Sequence, residues 1–144
     1  MVITEPNCWI LFHSKKQFEN ENILRDWLAG TLKKDREGCY YLNKRFGVLP
    51  GSVILFERNG LLVGSAIAKE TVRTPTEEEK MLAGQFRFVL RIVPDSIWVW
   101  KEHFVSLETL RGEGVKIPVG VPGERISSSD VLKIFRIVCQ NNVG

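Results

Sequence analysis

The chain has 144 residues, 44% of them hydrophobic, and its 20 basic against 17 acidic side chains leave a net charge of +3. That length suits one domain with a single sizeable core, and so slight a basic excess names no polyanionic partner by itself. Cys8, Cys39 and Cys139 are scattered with no Cys-x-x-Cys or Cys/His cluster, which excludes a zinc site of usual spacing and a disulfide framework.

In chain order, Cys8-Trp9-Ile10-Leu11-Phe12-His13 reads as a buried first strand. Ser14 with Gln17 offers a capping box for a helix whose stripe is Phe18, Ile23, Leu24, Trp27 and Leu28, ending near Gly30. Residues 39–46 fit either a short strand or a helical turn. Two apolar runs, 52–58 and 61–69, flank Asn59-Gly60, the strongest short hairpin signal because a type I′ turn needs positive φ at both central residues. Residues 71–80 read as an exposed excursion with a helical turn. Phe86, Phe88, Leu90 and Ile92 alternate with Arg87 and Arg91, a period-two strand. Pro94-Asp95 turns the chain into another strand over 97–104, and Ser106 caps a short helical turn. A Gly/Pro-rich loop over 112–123 leads to a last amphipathic helix, with N-cap candidates at 127–130 and Val131, Ile134, Phe135 and Val138 on one face. No apolar run approaches the roughly 20 residues of a membrane span, so a soluble cytoplasmic protein with reduced cysteines, no cofactor and no membrane partner is expected.

Four segments, in order, resemble the PUA-like superfamily, and within it the EVE and YTH branches. They are Trp9 to Ser14; the hairpin from Pro50 to Lys69; Phe86 to Val93, later followed by Val105 to Leu110; and Gly123 to Ser127 before the last helix. The resemblance covers nearly the whole chain. It implies an α+β fold, a β pseudo-barrel of five to six strands flanked by helices, in a single domain over 1–144. It also implies a non-catalytic module that binds DNA or RNA and holds a base, modified or flipped, in a pocket at the strand ends. Fusion to, or association with, a restriction or RNA-processing module is the implied setting. Where YTH domains place cage tryptophans, this chain has Tyr40-Tyr41 or Trp27 in one region and Met81-Leu82-Ala83-Gly84 in the other.

The candidate contact residues follow from their chemistry. His13 and Ser14 end the first strand where the implied pocket opens. Tyr40, Trp98 and Trp100 offer rings for stacking, and the two tryptophans share a strand face. Asn43 suits the edge of an adenine-like base, while Lys44, Arg45, Arg87, Arg91, Lys101 and Arg125 suit phosphate. Each has a plainer explanation: core packing for the tryptophans and Trp27, a helix cap for Ser14, a solvated sheet face for the arginines. Two other functions fit the same residues. One is a protein-interaction or small-ligand module using Trp98 and Trp100 as an apolar patch. The other is a hydrolase or nuclease on the same fold, for which Cys39 with His13 is the sole nucleophile pair to hand.

Overall fold

A computed structural model of the chain describes residues 7–100, 103–117 and 125–142. The strands are β1 (Cys8–His13), β2 (Cys39–Leu42), β3 (Val53–Arg58), β4 (Leu61–Ile67), β5 (Phe88–Arg91), β6 (Trp98–Val99), β7 (Val105–Ser106) and β8 (Arg125–Ile126). The helices are α1 (Glu21–Trp27), prolonged by a wider turn over Leu28–Leu32, then α2 (Glu77–Ala83), α3 (Leu107–Gly112) and α4 (Ser128–Asn142). The fold is α+β. One mixed sheet runs β6-β4-β3-β1-β8, with β7 added to β4, and a second sheet pairs β2 with β5.

The main sheet is built around β1, parallel to β3 and antiparallel to β8. A parallel neighbour requires a crossover, and residues 14–52 supply it by carrying α1 and β2 across one face. Because successive strand side chains alternate, β1 feeds two cores. Trp9 and Leu11 join one that includes Leu24, Tyr40, Phe56 and Leu90, while Cys8 and Ile10 join the other with Leu110, Ile134 and Val138. Ile134 and Val138 lie on the α4 stripe read from the sequence, so that helix closes the second core.

The hairpin forms as expected, with Asn59 and Gly60 at φ of 58° and 77°. Gly64 has a different use. A Cβ there would sit 2.7 Å from the Trp98 carbonyl oxygen, so glycine lets β6 approach β4.

Several boundaries move. The first helix starts six residues later than the Ser14 cap suggests, because the Asn20 side chain accepts from the Ile23 amide. Gln17 still accepts from the Ser14 amide, closing a separate turn. The strand expected over 97–104 is ordered as a strand only at Trp98–Val99, and residues 101–102, with Lys101, lie outside the described residues. The predicted excursion holds α2, opened by a complete capping box between Thr76 and Glu79. The main sheet does not close on itself among the described residues. Isolated antiparallel bridges, Ala68 to Ile92 and Arg73 to Val89, carry it onto the small β2-β5 sheet instead.

Candidate functional site

A concave cavity of about 310 Å³ opens beside β2, lined by His13, Gln17, Phe18, Trp27, Cys39, Tyr40, Tyr41 and Phe86. That volume is at the lower end of small-ligand sites, roughly 300–1,000 Å³. Its walls come from the end of β1, the turn after it, α1, β2 and Phe86, two residues before β5. Five of the eight lining residues carry phenyl, phenol or indole rings. Phe18 and Trp27 meet tilted, 5.4 Å apart between centroids, and Trp27 and Tyr40 meet edge-on at 6.0 Å.

The backbone of β2 also directs polar groups away from β5. The Ile92 amide donates to the Gly38 carbonyl, which makes Cys39 and Arg91 a non-hydrogen-bonded pair. The alternation then makes Tyr41 and Val89 another such pair. Consistently, Val89 exchanges its amide and carbonyl bonds with Arg73 on the far side of β5. The N–H and C=O of Tyr41 therefore point to the outer edge of β2, away from β5.

His13 and Tyr40 form the buried end of the site. The His13 Nδ1–H donates to the Glu57 carbonyl at 2.8 Å, which leaves Nε2 to accept from the Tyr40 hydroxyl at 2.5 Å. Burial holds the His13 imidazole down to about 4, and Arg58 acts in the same direction, while its backbone hydrogen bonds oppose both. Burial also raises the Tyr40 phenol above its usual value. Both groups are thus neutral near pH 7 and bonded to each other.

Cys39 faces a different neighbour. Its thiol lies 3.6 Å from Glu79 Oε2, and burial pushes it up to about 11. A protonated thiol bonded to a carboxylate, with His13 committed elsewhere, is not a nucleophile–base pair. Glu79 is held down to about 2, chiefly by Arg73, which it binds at 2.7 Å. The Tyr41 hydroxyl is closed off from solvent beside that thiol without a well-aligned partner, and burial raises it to about 12.

A second group lies one residue beyond the cavity wall. Phe86 also lines a neighbouring concavity of about 560 Å³ with Lys80, Gln85 and Arg87. The Arg87 amide donates to Asn43 Oδ1 at 3.1 Å, extending the β2-β5 register by one pair. The Arg45 and Arg87 guanidinium carbons lie 5.4 and 5.8 Å from the centroid of the Phe88 ring.

The structure distributes the sequence candidates over several places. His13 and Tyr40 meet at the cavity; Ser14 is exposed in the turn after β1, just outside the lining. Asn43, Arg45 and Arg87 meet around Phe88, with Lys44 exposed between the first two. Arg91 pairs with Glu37. Trp98 is half-exposed and stacks on Phe135, while Trp100 is wholly buried in the second core and presents no face to a ligand. Arg125 is exposed on β8, beside a separate concavity with Lys116 and Ser127. Sequence reasoning missed Gln17, Phe18 and Phe86 as lining residues, expected only one of Tyr40 and Tyr41 to line a pocket where both do, and weighed Trp27 as core. The available signal was the density of rings in 18–41, which no single spacing connects to Phe86.

No protein-family model matches the chain, and no curated protein matches it. Among solved structures, the YTH domain of the Zygosaccharomyces rouxii MRB1 protein, in complex with N6-methyladenosine RNA, is similar over 96% of this chain and 90% of that one. The two share 13% identity at a TM-score of 0.49. At that level the likeness assigns neither family nor ligand, and the case for function rests on the chain's own residues.

Proposed function

We propose that this domain binds nucleic acid and takes a base, unpaired or flipped out of a duplex, into the cavity beside β2. The observation that carries the proposal is the gathering of five aromatic rings around one concave cavity. Rings supply stacking, worth roughly 1–3 kcal/mol per base, and the Tyr41 N–H and C=O, which point away from β5, are assigned in this reading as a donor and an acceptor for a base edge. Aromatic walls accept a modified base as readily as a plain one, so the site suits either.

The fold is read as a PUA-like pseudo-barrel, supported by the bridges that carry the main sheet onto the β2-β5 pair and by the His13–Tyr40 bond across the gap. Binding without catalysis is the favoured activity, because the cavity's thiol and imidazole are each committed to partners that suppress their reactivity.

The test is fluorescence anisotropy with labelled single-stranded RNA and DNA at about 50 mM salt, followed by Phe86→Ala. Phe86 lies in the wall and outside both cores, so its loss should weaken binding about five- to a hundredfold while leaving the melting temperature nearly unchanged. Unchanged affinity in the variant would remove the cavity from the binding site.

A further inference from the structure

We infer that Arg45 and Arg87 form the seat of a phosphodiester flanking the base in the cavity, so that the ligand is a nucleotide within a single strand and not a free nucleoside. This rests on the reading of the cavity as a base site.

The first support is charge. Arg91 on β5 and Arg73, bridged to Val89 of β5, are ion-paired with Glu70, Glu79 and Glu37, and Lys80 with Glu77. Arg45 and Arg87 make no carboxylate pair among the described residues, yet both approach one ring, Phe88. Gathering two like charges without a counter-charge costs folding free energy, and a bound phosphate would remove that cost. The sequence keeps the area free of competing anions. No Asp or Glu lies between Glu37 and Glu57, or between Glu79 and Asp95.

The second support is order. Cation–π contact with Phe88 orients both guanidinium groups. Asn43 pins the start of β5 through the Arg87 amide, and its carbonyl lies 3.5 Å from the Arg87 guanidinium. A planar guanidinium held in this way presents paired donors to phosphate oxygens.

The third support is position. Phe86 stands in the cavity wall and, with Arg87, also lines the neighbouring concavity, so the two concavities adjoin at that residue. A base drawn into the cavity leaves its flanking phosphates outside it, and on the far side of Phe86 Arg87 lines the neighbouring concavity while Arg45 shares its contact with Phe88.

The test compares wild type with the double variant Arg45→Gln/Arg87→Gln. The probes are a labelled nine-nucleotide mixed-sequence single strand, the free nucleosides and their monophosphates. Arg136→Gln, an exposed arginine on α4, controls for net charge. The double variant should lose tenfold or more on the strand, and its salt slope should shrink by about 0.7 for one phosphate. Any nucleoside affinity should be untouched, and Arg136→Gln should stay within twofold of wild type. Strand binding within twofold of wild type and an unchanged slope in the double variant would overturn the seat while Phe86→Ala still reports on the base site. Monophosphates binding as tightly as the strand would overturn the strand assignment. If wild type binds no strand at all, both the seat and the base site fall.

Discussion

His13 ends β1 with both ring nitrogens already engaged, by the Glu57 carbonyl and the Tyr40 hydroxyl. Its part at the cavity is therefore to fix Tyr40, not to reach a ligand. Tyr40→Phe would leave Nε2 buried without a donor and should destabilise the fold by about 1–3 kcal/mol in urea unfolding. The pH dependence follows from the same burial. The folded imidazole titrates at about 4, below its unfolded value near 6.5, so the unfolded chain binds the extra proton between those limits. The His13 contribution is complete above about pH 6.5 and is lost as pH falls towards 4, with a full amplitude on the order of 3 kcal/mol. His13→Gln should flatten that part of the stability profile; an unchanged slope would mean that His13 is charged in the fold. From the sequence, His13 has the chemistry of a base or phosphate ligand. Its real partners are set by the parallel pairing of β1 with β3 and by the return of β2, distant in the chain, and no local pattern contains them.

At the scale of elements, the decisive feature is β2, which among the described residues pairs only with β5 and lends Cys39, Tyr40 and Tyr41 to the cavity lining. The sequence leaves residues 39–46 undecided between strand and helical turn, because four strand residues are too few to show a period. The hairpin is legible, since Asn59-Gly60 encodes its turn in two residues. Gly64 is legible as a glycine in a strand but not for its reason, which is the passage of β6 over it. Gly64→Ala must displace the Trp98 backbone and should cost about 1–3 kcal/mol, measurable as a lowered melting temperature. The α2 cap offers a second check. Glu79 closes the capping box and also holds Arg73, so Glu79→Ala should cost about 1–2 kcal/mol, more than Glu78→Ala on the exposed face of the same helix. Equal effects would reduce the cap to a surface ornament.

Across the whole molecule, β1 and β3 divide two cores, and the binding features gather on the side of the first. The α+β class and the final helix follow from hydrophobic periods of two and of about 3.6, which survive any tertiary arrangement. The site does not follow from period, because Phe18, Trp27, Tyr41 and Phe86 come from four separate segments that only the fold brings together. Trp98 and Trp100 show the reverse. Their spacing suggests a stacking platform, yet the fold spends Trp100 in the second core and sets Trp98 against Phe135. The central claim is that the cavity and its basic rim bind a single nucleic-acid strand. Titrating the intact chain with a labelled single strand between about 50 and 200 mM salt tests it most directly. Saturable binding that weakens as salt rises, and that falls with Phe86→Ala, is the predicted result; no binding to RNA or DNA at about 50 mM salt would contradict it.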